Sequence, residues 1–160
     1  MLIRLTVPPT YDAVSGTCAD RISFNVFALV GCLLSLGGMG IRLWCYQALG
    51  RLFTFELALL PNHKLITTGP YAFVRHPSYT GGLLALAGMT IANISKGSWA
   101  YECGFVSSWW GIGWGMVVGF STIVVVERCP REDRLLREAF TEEWDGWKER
   151  VRWRMVPWVY

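Results

Sequence analysis

Three apolar runs, at about residues 22–49, 78–94 and 101–126, limit what this chain can fold into. A helix needs about 20 residues to cross a bilayer. The first run exceeds that length, so it tilts or its last turns emerge into the interface. The second is short but adequate. A chain of 160 residues is one domain at most, and 52 % apolar residues with a mean hydropathy of +0.32 place it among integral membrane proteins. Nine Trp supply interfacial anchors. The expectation is an all-α integral membrane protein with about three transmembrane helices. An irregular leader over 1–21, with Pro8, Pro9 and Gly16, precedes a single membrane domain over 22–160. The leader has too short an apolar core and too many breakers for a secretory signal.

Small residues mark candidate helix contacts. Gly31, Gly37, Gly38 and Gly40 give the first run a close-packing face. Gly111, Gly113, Gly115 and Gly119 alternate with aromatics in the third, where close packing is favoured over a cofactor box. Arg42 is the exception within the first run. It snorkels from the final turns or faces a polar cavity, and its nearness to a charged loop favours snorkelling.

Basic residues set the orientation. Arg51, Lys64 and Arg75 lie in the connection over 50–76, and eight Lys or Arg follow Val126. The opposite side holds Arg4, Arg21 and Lys96. The connection and the tail are therefore expected in the cytoplasm, with the N-terminus on the other side. The net charge of +3 leaves no unbalanced basic stripe, so no nucleic acid is expected as a partner. Cys18, Cys32, Cys45, Cys103 and Cys129 show no CxxC spacing. Neither a metal site nor a disulfide is expected, and Cys32 and Cys45 read as small buried hydrophobes.

After the third run the pattern becomes amphipathic. Pro130 suits the first position of a helix, and Glu132 and Asp133 fall in its first turn. Leu136, Phe140, Trp144, Trp147 and Val151 form one apolar stripe at helical spacing. A surface helix is expected over about 130–151, lying on the membrane or over the loop.

The densest chemistry lies from His63 to Gly82. Pro77 drives His76 out of helical geometry and begins the second run as a helix. The N–H groups of that helix start, with the Arg75 guanidinium, suit a carboxylate. Headgroup anchoring explains the same residues equally well. Gly69-Pro70-Tyr71 is a turn. Glu127, Arg128, Glu132 and Asp133 follow the third run; Arg128 and Glu132, four apart, form a surface ion pair, or the acids bind a cation or a ribose hydroxyl.

These residues together resemble the isoprenylcysteine carboxyl methyltransferases and the related membrane phospholipid methyltransferases. The shared pattern is GPYxxxRHPxYxG, followed one or two spans later by RxxxEExxL. Here Gly69, Pro70, Tyr71, Arg75, His76, Pro77, Tyr79 and Gly81 match every position of the first half. Arg128, Glu132, Asp133 and Leu136 match the second, with Asp133 one methylene shorter than the usual Glu. His63 and Leu65 match the HxL that commonly precedes GPY.

The resemblance implies S-adenosylmethionine held at the cytoplasmic face by His63, Leu65, Gly69, Pro70, Tyr71, His76, Tyr79, Glu132 and Asp133. Arg128, Arg75 and Glu132 are the implied catalytic residues, the two Arg holding the acceptor carboxylate. The implied acceptor is the prenylated C-terminal cysteine of membrane-associated proteins, entering from membrane lipid in the endoplasmic reticulum. The glycine faces permit a homodimer. The alternatives are an ethanolamine phospholipid N-methyltransferase and a truncated, non-catalytic relative, because family members commonly carry more spans ahead of this half. A carboxylate acceptor is already ionised near neutral pH and needs no general base, whereas an ammonium must first lose a proton.

Overall fold

A computed structural model describes residues 18, 20–50 and 64–159. Among them the regular structure is entirely helical. Helix α1 spans Val26–Leu49, a 3-10 turn covers Gly69–Ala72, α2 spans Pro77–Ile94, a single turn α3 covers Trp99–Glu102, and α4 runs from Trp109 to Arg150. His63 and nearly all of the leader lie outside the described residues.

Helices α1 and α4 are long and apolar enough to cross a membrane. Their apolar side chains are not consumed by a protein core. Phe27, Leu33 and Leu36 on α1, and Trp109, Met116 and Phe120 on α4, are all exposed. Outward-facing side chains of this kind give the chain its membrane character. Most of the expected second span is helical, as α2, an 18-residue helix beginning at Pro77, but among the described residues α1 and α4 alone are long and apolar enough to cross, so the expected third crossing is not established.

α1 and α2 pack at backbone contact. A Cβ built on Gly38 would lie 2.4 Å from the Gly81 carbonyl oxygen, and one on Gly31 would lie 2.5 Å from that of Gly88. Ser35 between them donates its hydroxyl to the Ala85 carbonyl at 3.2 Å. Half of the glycine face read from sequence is thus the seam. Gly37 and Gly40 meet nothing within 4 Å, and neither do Gly113, Gly115 and Gly119 on α4. The close packing expected of those α4 glycines is absent among the described residues. Of that set, only Gly111 is crowded, against the Val106 carbonyl that precedes its own helix.

Two expectations about the ends of the helices are corrected. No break separates the third run from the tail: α4 continues through Pro130 as one helix, so Pro130 is interior rather than first. The break comes at Thr141, with φ 40° and ψ −105°. It turns Trp144, Trp147 and Val151 back onto the loop, where they form a buried core with Leu65, Tyr71, Leu136 and Phe140. The apolar stripe is real, and it covers the loop. A β-branched residue in that left-handed geometry carries strain of about 1–3 kcal/mol. Thr141→Gly is expected to raise stability by about 1 kcal/mol, seen as a higher melting temperature in detergent.

The second correction concerns cysteine. Cys18 and Cys103 form a disulfide with Cα atoms 5.2 Å apart. It ties the chain entering α1 to the connection between α2 and α4. Ser23 N–H bonds the Gly97 carbonyl at the same end. With the cysteines 85 positions apart, no local spacing announced the pairing. Cys45 is buried as expected, but Cys32 is exposed on α1.

Candidate active site

The opposite end of the α1–α2 pair gathers the motif residues. Pro77 is the first residue of α2, and His76 caps it with φ −124° and ψ 58°, outside helical space as the following proline requires. The chain leaving the tail helix then runs alongside this cap. Arg75 N–H donates to the Trp153 carbonyl at 2.9 Å, His76 N–H to that of Arg154 at 2.7 Å, and the Thr80 hydroxyl to that of Met155 at 2.7 Å.

Asp133 sits at the centre of a buried ionic knot. Its carboxylate accepts from Arg75 Nη1 at 2.7 Å, lies 3.0 Å from His76 Nε2, and accepts from Arg154 Nε at 3.1 Å. Arg75 also donates to the Arg152 carbonyl at 3.3 Å. Burial alone would raise the Asp133 carboxyl. The His76 hydrogen bond and charge, with Arg75 and Arg154, outweigh that and hold it below its ordinary value. The two motif halves, more than fifty residues apart, are thereby fastened to each other and to the C-terminal segment.

Glu132 is placed differently. Its side chain is 33 % exposed against 8 % for Asp133, so it is the acid of the pair able to meet a ligand. Tyr79 donates its hydroxyl to Glu132 Oε2 at 2.8 Å, and His76 Nδ1 lies 3.6 Å from the same oxygen. The His76 and Tyr79 rings stack with centroids 5.6 Å apart. Arg128 lies one turn before Glu132 on α4, within electrostatic reach of Tyr79.

The GPY turn closes the other side. Gly69 takes φ +62°, and a Cβ there would lie 3.5 Å from Trp44 Nε1 of α1. The Tyr71 carbonyl accepts from Trp147 Nε1 at 3.1 Å, which pins the turn to the tail. Burial pushes the Tyr71 phenol up, with Cys45, Glu132 and Tyr79 adding to the rise, so it stays protonated and able to donate at neutral pH.

Tyr71, Arg75, His76, Tyr79, Arg128, Glu132 and Asp133 therefore converge, with Gly69 and Pro70 forming the turn beside them. Leu65 packs under the tail tryptophans, and His63 lies outside the described residues. Sequence reasoning missed Arg154, Thr80 and Cys45. Their partners are distant in sequence, and no spacing rule reaches them. A cavity of about 760 Å³, lined by Arg21, Asn25, Phe27, Ile91, Lys96 and others, opens at the disulfide end and includes none of the motif residues.

Comparisons with known proteins agree with the motifs. The model of the isoprenylcysteine carboxyl methyltransferase (ICMT) family matches residues 29–99. Protein-S-isoprenylcysteine O-methyltransferase B of Arabidopsis thaliana is 29 % identical over 107 residues, covering 64 % of this chain and 45 % of the relative. Delta(14)-sterol reductases are similar too. That of Neurospora crassa is 28 % identical over 117 residues, covering 61 % of this chain and 24 % of the relative. That of Methylotuvimicrobium alcaliphilum is 29 % identical over 96 residues, covering 60 % and 19 %. The chain thus spans less than half the length of each of these relatives. No solved structure matches it. The family match contains the whole GPYxxxRHPxYxG half, and so the resemblance to the isoprenylcysteine carboxyl methyltransferases that these residues carry is shown over residues 29–99.

Proposed function

We propose that this chain carries out S-adenosylmethionine-dependent methylation of the C-terminal carboxylate of prenylated cysteine. The convergence of the two motif halves carries the reading, with Tyr79 bound to Glu132 and Arg75 and His76 to Asp133. The donor set fits the cofactor. Glu132 offers a part-exposed carboxylate to hydroxyl or ammonium groups, Tyr71 and Tyr79 offer aromatic surface, and Gly69 offers backbone without a side chain. The cofactor supplies an electrophilic methyl group on a cationic sulfur.

The protein's part is alignment and exclusion of water, because the acceptor carboxylate is ionised at neutral pH and no base is required. Glu132 would orient the cofactor, with Tyr79 and His76 fixing the carboxylate. Arg128 would hold the acceptor without removing its nucleophilicity. Arg75 was expected to share that task. Its guanidinium is engaged by Asp133 and the Arg152 carbonyl, so we assign it a positioning role through Asp133.

The same reading makes α2 a third span and places the site at the cytoplasmic face of the endoplasmic reticulum. The disulfide supports this orientation. Disulfides persist in oxidising compartments, and Cys18–Cys103 lies at the end of the helix pair away from the motif. The acceptor would arrive within membrane lipid.

The similarity to the two reductases favours a second reading, reduction of a sterol double bond. The chain covers far less of them than of the plant methyltransferase. The test is purified protein with radiolabelled S-adenosylmethionine and N-acetyl-S-farnesylcysteine. Base-labile label on the acceptor is expected. Arg128→Ala and Glu132→Gln should each lower kcat/KM by about 100-fold or more with helix content unchanged. Full activity in Arg128→Ala would remove the role given to it. No transfer, with loss of a sterol double bond when a sterol and a hydride-donating nicotinamide cofactor are supplied in a second assay, would install the second reading.

A further inference from the structure

Arg42 lies outside both motif halves. It lies in the last third of α1 and reaches toward that end of the helix pair. Nη1 crosses to α2 and donates to the Ser78 carbonyl at 3.5 Å, while Nη2 donates to the Tyr46 hydroxyl one turn further along α1. Its Cζ lies 5.5 Å from the centre of the Tyr46 ring. The helix pair is built around this side chain. A Cβ on Gly81 would lie 3.1 Å from Arg42 Cγ, and one on Gly82 would lie 2.8 Å from Nη1. Two consecutive glycines of α2 leave the room it occupies.

All of these partners are neutral. Among the described residues Arg42 forms no ion pair with a carboxylate. A half-buried guanidinium at a helix seam costs free energy that neutral acceptors only partly offset. An ionisable side chain held in a membrane helix pair with no carboxylate partner among the described residues is a candidate for binding an anionic ligand.

Its surroundings say which site. Ser78, which it touches, precedes Tyr79, the residue bound to Glu132. Cys45, one turn along α1, feels the Arg42 charge and hydrogen-bonds Tyr71. Tyr71 in turn feels Glu132 and Tyr79. Trp44, on the same turn of α1, lies against Gly69. Arg42 is thereby linked, through Ser78 and through Cys45 and Tyr71, to the start of α2, the GPY turn and Glu132.

We infer that Arg42 binds a carboxylate in this site, its planar fork suiting two-point contact with that group. This rests on the methyltransferase reading, under which two ligands bring a carboxylate: the acceptor cysteine and the amino-acid end of S-adenosylmethionine.

Equilibrium binding separates the inference from the reading, because it needs no turnover. Radiolabelled N-acetyl-S-farnesylcysteine, its methyl ester, and S-adenosylmethionine are each titrated against the wild type, Arg42→Met, Arg42→Lys and Gly82→Ala in detergent. Gly82→Ala keeps the arginine but displaces its Nη1, and it serves if Arg42→Met does not fold. Arg42→Met is expected to weaken one ligand by about 10- to 100-fold, with Arg42→Lys and Gly82→Ala between it and the wild type. If the acceptor is that ligand, the wild type prefers the free acid to the ester and Arg42→Met loses the preference. If S-adenosylmethionine alone weakens, the carboxylate is the cofactor's. Unchanged affinity for both ligands in folded Arg42→Met or Gly82→Ala overturns the inference and leaves the methyltransferase reading intact. Absence of methyl transfer by the wild type overturns the reading, while the acid-over-ester preference still decides the role of Arg42.

Discussion

Asp133→Ala is expected to undock the C-terminal segment and to lower stability by about 3–5 kcal/mol, the range for breaking one partner out of a buried ion pair. Asp133 is the carboxylate shared by Arg75, His76 and Arg154. Removing it leaves the Arg75 charge buried at 6 % exposure without its counter-ion. The C-terminal segment then loses the carboxylate that ties Arg154 to Arg75 and His76, while the backbone bonds and the contacts of Thr80 and of Arg75 with the Arg152 carbonyl remain. Limited proteolysis should cut within residues 151–159 much faster in the variant, and its melting temperature in detergent should fall. A variant that melts like the wild type would show the knot to be incidental.

The same carboxylate sets an acid limit. Its pKa is lowered in the fold, so its contribution is complete above the unfolded-state value near ~3.9 and is lost as pH falls through the lower folded value. The wild type should lose stability across that acid window. Asp133→Asn should start less stable and lack that component of the loss.

The motif residues were legible because their geometry is local or their pairing recurs in a pattern. Pro77 dictates the conformation of His76 and the start of α2 whatever surrounds them. The stripe from Leu136 to Val151 fixes which face of the tail is buried, though not against what. What stayed hidden depends on contacts across the fold. Glu132 and Asp133 are adjacent acids in sequence, and a helix turns adjacent residues about 100° apart. One is therefore sealed under Arg75 and Arg154 while the other keeps a third of its surface. From sequence Arg42 reads as reaching from the final turns of α1, and it does reach on to Tyr46 and Ser78, but nothing in its own helix reveals the room left for it by Gly81 and Gly82. Pro130 signalled a helix start, yet α4 runs through it and turns at Thr141, where no Gly or Pro marks the place.

The seam between α1 and α2 gives the second large effect. Gly38→Val should separate the helices, whereas Gly37→Ala, one residue away, should change stability by no more than about 1 kcal/mol, the span of helix propensity between Gly and Ala. A Cβ at position 38 would sit 2.4 Å from the Gly81 oxygen and 2.6 Å from the Ala85 nitrogen, both backbone atoms that no rotamer change can move. A Cβ at position 37 meets nothing within 4 Å. Forcing bulk into a fitted contact costs about 1–3 kcal/mol, and two branches of valine at a backbone-to-backbone contact put Gly38→Val at the upper end. The loss should reach the site as well, because the same separation draws Arg42 from Ser78 and Trp44 from Gly69. Melting in detergent checks the stability difference, and ligand binding checks its transmission. Equal melting of the position 38 and position 37 variants would mean that the helices do not meet at this seam.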